Sequence, residues 1–193
     1  MKYITKEYNH WLVEPHLREA LAFCRAKEAA RYALDKIWVD ADSLTATNGK
    51  TLLNVVCQHE IEPGLYFMTA DGFLLKYGGG DKYPEFRTLF LTEKDSKAVF
   101  MGRHLIEVAG CSPENNVLAL LLRADVYFNI DCMQKILRLL YAIGEYAITA
   151  HVPTDSNAKV VMICGEIGAL SFTFMQMGIS LSPWETKLHG FGS

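Results

Sequence analysis

Two stretches of the chain repeat their apolar residues at helical spacing, and much of the rest alternates. In PHLREALAFCRA, from Pro15 to about Ala26, the residues Leu17, Leu21 and Cys24 fall at i, i+4 and i+7, with proline in the first turn. That pattern predicts a helix. Beyond Lys27 the period drops to two. In RYALDKIWVDADSLTATNGKTLLNVVCQ the apolar positions are Leu34, Ile37 and Val39, then Leu44 and Ala46, then Leu53 and Val55. Turn signals at residues 40–43 and at Asn48 and Gly49 divide them into a three-stranded antiparallel meander. A second helix is predicted on NIDCMQKILRLLYAI, where Met133, Ile136, Leu137 and Leu140 share a stripe and Asn129 or Asp131 is the cap. The following EYAITAHVPTDSNAKVVMICGEIGALSFTFMQMGISL predicts three more strands, broken at residues 153–157 and 165–168.

The text between these units is less regular. PGLYFMTADGFLLKY reads as a hairpin turned at Asp71 and Gly72, and GGGDKYPEFRTLFL as a loop leading into a strand. KAVFMGRHLIEVAG fits strand or helix, and NVLALLLRADVYF reads as strand. The expected organisation is α+β: one domain over residues 1–193, with repeat halves at about 1–60 and 118–182. Each half has a helix and three antiparallel strands (15–58 and 129–181), and an irregular insert at about 61–117 separates them.

Composition fits a folded protein, with 50% hydrophobic and 21% charged residues. No apolar run approaches the roughly 18 residues of a membrane span, and MKYITKEYNHW lacks the apolar stretch of a secretory signal. The five cysteines are scattered without a C-x-x-C pair, which favours a reducing, cytoplasmic setting over a disulfide framework or zinc ribbon. A net charge of −3 excludes a polycation that coats nucleic acid, while a local basic face stays open.

Gly49, Lys50 and Thr51 finish like a phosphate-binding loop. Such a loop needs a first glycine at position 44, which is Leu44, and a helix after it, where LLNVV is strand-like. A type I′ hairpin at Asn48 and Gly49 accounts for the same residues. GGGD at 78–81 lacks the strand-to-helix context of a nucleotide site and reads as a mobile loop. The six histidines show no H-x-x-x-H or H-E-x-x-H spacing, and Cys57, His59 and Glu60 lack a second ligand cluster. No metal or cofactor is expected, and no catalytic signature surrounds any cysteine. A Cys/His pair meets only in space, so an enzyme with its site within residues 57–111 stands as a third reading. Arg18 and Arg25 are seven apart on the first helix, and Lys135 and Arg138 three apart on the second, opposite its apolar stripe. They describe either an ordinary solvated face or a mildly basic one.

Several motifs, in order, resemble the bacterial DNA polymerase III beta subunit, the sliding clamp family. YALDKIWVDADSLTATNGKTLLNV is similar to the family's strand and "ATDG" hairpin, with Ala46 to Lys50 on the turn. GGDKYPEFRTLFL echoes its "dG.fPdyr.viP", YFNIDCMQKILRLL its "fN..YLldaL" helix, and FTFMQMGISL its terminal strand "lImPmRl". The chain departs from the family in having room for one domain rather than three, and in lacking that strand's proline and arginine. The resemblance implies a DNA-clamp-like fold, with two helices lining DNA and the sheets outside. It implies DNA-facing roles for Arg18, Arg25, Lys135 and Arg138, and makes Met175 and Met177 either peptide-pocket candidates or core strand residues. It further implies a non-enzymatic, phage- or prophage-type replication protein bound to duplex DNA, with a polymerase or replication-protein peptide as a further partner and a ring made by homo-oligomerisation. The alternative is a clamp-fold interaction or regulatory protein that binds a protein partner and does not encircle DNA.

Overall fold

The computed structural model describes residues 2–28, 32–101, 128–144, 147–154 and 160–177. In chain order the elements are β1 (Ile4–Glu7), β2 (His10–Val13), α1 (Pro15–Cys24), β3 (Ile37–Val39), β4 (Ser43–Thr47), β5 (Thr51–Val56), β6 (Gly64–Met68) and β7 (Phe73–Lys76). A 3-10 turn at Arg87–Leu89 follows, then β8 (Ser96–Met101), α2 (Ile130–Ile143), β9 (Ala147–Pro153), β10 (Val160–Ile167) and β11 (Leu170–Met177). These eleven described strands join one antiparallel sheet, ordered β1-β2-β7-β6-β3-β4-β5-β11-β10-β9-β8.

The helices form where their stripes predict. Glu14 caps α1, its carboxylate accepting from the Leu17 amide at 2.8 Å, and Pro15 occupies the first turn. Leu17, Ala20, Leu21 and Cys24 are fully buried beneath it. Asn129 is the cap of α2, its Oδ1 accepting from the Cys132 amide at 2.8 Å, while Asp131 places a negative charge in the first turn. Met133, Ile136, Leu137 and Leu140 are buried as expected, and Ile143 extends the stripe.

The helices touch each other and share a core with one face of the sheet. Alternation supplies that face: Leu44 and Ala46, Leu53 and Val55, Ile148 and Ala150, Val161 and Ile163, Phe172 and Phe174 all point into it. Each fully buried leucine, isoleucine or phenylalanine contributes about 1.5–3 kcal/mol. The seam is β5 against β11, in register from Val56↔Ser171 to Thr51↔Gln176. The last strands of the two meanders therefore pair antiparallel. The Gln176 amide group donates to the Asn129 carbonyl at 3.3 Å, fixing the start of α2 beside the end of β11.

The structure corrects the expectation of an irregular insert. The hairpin β6–β7, turned at Asp71 and Gly72 as its sequence predicts, is laid between β3 and β2. Tyr66, Met68 and Leu74 carry it into the main core. Gly72 takes φ +96°, and a Cβ there would lie 3.0 Å from the Arg18 Cδ and 3.1 Å from the Val13 carbonyl oxygen. Gly72→Ala is therefore expected to cost about 1–3 kcal/mol, read by urea unfolding, from a disfavoured backbone and a backbone clash together.

Periodicity does not reveal the hairpin β1–β2, because only Ile4 and Val13 of its strand residues are buried and the rest mix polar and apolar types. Arg87–Leu89, expected to lead directly into a strand, is a 3-10 turn, and the next strand waits until Ser96. The turn at Asn48 and Gly49 is also not type I′. Gly49 has φ +85° and Asn48 has no positive φ, so the left-handed residue is the first central position of the turn, the type II′ pattern. Asn48 Oδ1 accepts from the Lys50 and Thr51 amides, both at 2.9 Å, which holds Asn48 as the turn's first corner instead. The expected strand at 116–128 lies almost entirely outside the described residues.

Candidate functional site

Each face of the sheet carries a candidate surface. On the helix face, Lys135 and Arg138 are exposed on α2, and Lys135 Nζ lies 4.9 Å from the Phe23 ring centre on α1. That contact links α2 to α1. Arg18 is half-buried, its stem packed against Gly72. Arg25 is committed elsewhere: its Nη1 donates to the Met68 carbonyl at 3.1 Å, tying the end of α1 to β6. Exposed Glu19 and Asp131 interleave with the cations, so the layer is charged and only mildly basic.

The opposite face carries an apolar groove. Leu52, Met162 and Met175 project from β5, β10 and β11 away from the helices. Segment 83–91 crosses over them as a strap, with Phe86 buried among them. Tyr83 fixes the strap: it stacks on Trp38 with ring centres 6.0 Å apart, and its hydroxyl donates to the Thr45 carbonyl at 3.1 Å. Burial pushes that phenol well above its usual range. Arg87 pairs with Asp40, whose carboxyl is held below the usual range by the Ala41 amide and by Arg87.

Beside the strap lies a cavity of about 410 Å³, lined by Tyr32, Leu34, Lys50, Pro84, Phe86, Leu89, Val160, Met175 and Met177, with the floor of the Thr47–Leu52 turn beneath. Its size falls in the range of small-ligand and peptide side-chain pockets. Both sequence-predicted methionines line it. Met175 is buried and serves core and groove alike, whereas Met177 is 55% exposed at the rim. The aromatic and proline contributions from residues 83–91 could not be assigned to this groove by periodicity, since they belong to a loop. The run Tyr83-Pro84-Glu85-Phe86 was the available signal.

A second cavity, of about 700 Å³, gathers Cys57, His59 and Glu60 with Lys2, Lys6 and Trp11. Burial pushes the Cys57 thiol up to about 11, with Asp42 adding to the effect, which favours the neutral thiol at neutral pH. Burial holds His59 below its usual range, and its Nδ1 accepts from the Ile61 amide at 3.3 Å. A thiol raised by burial and an imidazole held below its usual range both work against a thiolate–imidazolium pair here. All four described cysteines are free, each thiol raised by burial. Among the described residues no three of His, Cys, Asp and Glu come together to hold a metal, and no helix is long and apolar enough to cross a membrane. His104 and Cys111 lie outside the described residues. The GGGD loop ends on Asp81, which accepts from the Tyr77 hydroxyl at 2.7 Å and sits 3.6 Å from the buried Lys36 ammonium.

No protein-family model matches the chain. No curated protein matches it either. Among solved structures it is similar to a DNA polymerase sliding clamp from Pseudomonas aeruginosa, determined with a ligand. The identity is 13% and the TM-score 0.44, over 87% of this chain and 63% of that one. The chain thus spans less than two thirds of the clamp's length, and a likeness this loose bears no weight for function.

Proposed function

We propose that this chain is a DNA-clamp-like protein, non-enzymatic, which lays its helix layer along duplex DNA and takes a replication-protein peptide in the groove on the other face. The observation that carries the reading is the placement of α1 and α2 together on one face of a single antiparallel sheet, each followed by a three-strand meander, with the meanders joined at β5–β11. We read the units α1–β5 and α2–β11 as two copies of one fold element. The order of the "ATNG", "YFN" and terminal-strand motifs along the same elements supports that reading, as does the groove beside Met175 and Met177.

Exposed Lys135 and Arg138 on α2, with half-buried Arg18 on α1, would meet phosphates without reading bases. The measurement that tests this is fluorescence anisotropy of a labelled duplex of arbitrary sequence over a salt series. Affinity should fall steeply as salt is raised, through counterion release. Absence of binding at the lowest salt removes the DNA reading.

The sheet ends in the described residues at β1 and β8, two strands that each have one neighbour. A head-to-tail ring would pair one with the other between copies, because an unpaired edge offers its amides and carbonyls to a new strand. Six copies would supply the clamp family's domain number. Size-exclusion chromatography with light scattering should then give a closed oligomer of fixed mass, and a monomer at all concentrations would overturn ring formation. The second reading is a clamp-fold interaction protein located in a reducing cytoplasm. It is favoured by Arg25 being held by Met68 and by the acids among the helix cations, while the groove is intact.

A further inference from the structure

We infer that the free edge of β1 is a docking site for an extended acidic peptide, which adds to the sheet as a further strand in the cleft beside β1. The site shares no lining residue with the groove.

The backbone defines it. Among the described residues β1 pairs with β2 alone, in register from Ile4↔Val13 to Glu7↔His10. The Glu14 amide donates to the Tyr3 carbonyl at 2.8 Å, so Tyr3 and Glu14 form a hydrogen-bonded pair one residue before β1. Bonded and non-bonded pairs alternate along an antiparallel ladder. Thr5 with Leu12 and Glu7 with His10 are therefore the next bonded pairs, and the amides and carbonyls of Ile4 and Lys6 point away from β2. The Val13 amide obeys the same alternation, donating to the Gly72 carbonyl on the other side of β2 at 3.0 Å. Outward amides and carbonyls on a free edge are what an added strand pairs with.

A cleft borders that edge. The cavity of about 700 Å³ is lined by every residue from Lys2 to Lys6 and by residues 57–60, which follow β5. Successive strand residues face opposite ways, so a cavity that touches all of them runs along the edge rather than over one face. The edge is also fixed in advance, which lowers the cost of binding: the Tyr3 hydroxyl donates to the Ile167 carbonyl at 2.6 Å, and Tyr3 and Ile4 are buried.

Side chains set the chemistry of the partner. By the two-residue period, Lys2, Ile4 and Lys6 share one face of the edge. Lys2 and Lys6 are exposed, and the Lys6 ammonium lies 5.5 Å from the centre of the Trp11 ring in the same cleft. Lysines on an edge turn away indiscriminate strand pairing, and they favour carboxylates directly opposite them. Glu60 is the one acid of this lining, against Lys2 and Lys6. The matching strand carries an acid, an apolar residue and an acid at alternate positions, a pattern that suits either chain direction.

The test uses the whole chain and a fluorescein-labelled peptide, Thr-Glu-Thr-Val-Thr-Glu-Thr, followed by anisotropy, with a control peptide carrying lysine in place of both glutamates. The acidic peptide is expected to bind about tenfold more tightly than the lysine peptide, and the preference should reverse in the Lys2→Glu/Lys6→Glu chain. N-methylation adds a reading that charge attraction alone would not move. Methylating the amides of one alternate set of peptide residues should abolish binding, and methylating the other set should spare it. Equal effects of the two sets would overturn strand addition. A chain that binds neither peptide would overturn the docking site, also where light scattering shows β8 of a second copy holding the edge in a closed oligomer; the groove and the helix layer keep their own tests in either case.

Discussion

Duplex affinity is expected to fall on the order of a hundredfold at 0.1 M salt when Lys135 and Arg138 are both replaced by glutamate. The two side chains are exposed on α2, three residues apart, on the side turned away from the buried Met133, Ile136, Leu137 and Leu140. Each phosphate that is no longer neutralised takes away a slope of about 0.9 in the dependence of log affinity on log salt, equivalent to roughly eightfold at 0.1 M. Two such phosphates account for about sixtyfold, and repulsion between the new carboxylates and the DNA backbone adds the rest. The salt slope should drop by about two in the same titration. Unfolding free energy should fall by no more than about 1 kcal/mol, since Lys135 loses its contact with the Phe23 ring while both side chains remain exposed. Arg25→Glu is the informative contrast: Arg25 is bonded to the Met68 carbonyl, so its removal should lower stability by freeing the end of α1 from β6. Unchanged DNA affinity in the Lys135→Glu/Arg138→Glu chain would discard the helix layer as the DNA surface and leave the interaction-protein reading standing.

Phe174→Ala is expected to destabilise the fold by about 3–5 kcal/mol, the usual cost of removing a buried phenylalanine and leaving its cavity. Phe174 is fully buried on β11, opposite Leu53 of β5 and Ile163 of β10, at the seam where the two meanders meet. For a chain of 193 residues such a change lowers Tm by roughly 6–20 °C, at about 2–4 °C per kcal/mol. Urea unfolding followed by circular dichroism reads it directly, with the midpoint falling and the slope preserved. Met177→Ala, three residues along the same strand, should stay within about 0.5 kcal/mol because its side chain is largely in solvent. A small effect at Phe174 would mean that β5–β11 is not the mechanical centre of the molecule. A large effect at Met177 would mean that the groove rim belongs to the core.

The contrast between those two residues also separates what periodicity reveals from what it conceals. Leu17, Leu21 and Cys24, and the stripe from Met133 to Leu140, were legible because a helix shows one face to its neighbour and that face recurs about every 3.6 residues. The meander from Ile37 to Val56 was legible because alternation and turn residues coincide. Met175 and Met177 were named as pocket candidates or core residues, and both sides of that alternative describe Met175, whose side chain joins the outer cluster and the cavity wall. The strap of Tyr83, Phe86 and Phe90 was not legible as a lining. Its position depends on Trp38, Thr45 and Asp40, all far upstream in sequence.

Arg18 and Arg25 make the same point about function. By spacing alone they are equivalent cations on one helix face. In the fold one packs its stem on a glycine turn and the other is held by a carbonyl of β6, since the β6–β7 hairpin has been laid into the sheet between β3 and β2.

By itself the sequence determined the two helices, the cap of α2, most strands and several of the turns, because those follow from local contacts and backbone sterics within a few residues. Only the tertiary structure decided that β5 meets β11, that the hairpin at 64–76 enters the sheet instead of standing apart, and that the loop at 83–91 walls a groove at the last strand. Strand pairing and loop packing are chosen by which distant apolar surfaces bury each other, and no short window of sequence contains both partners.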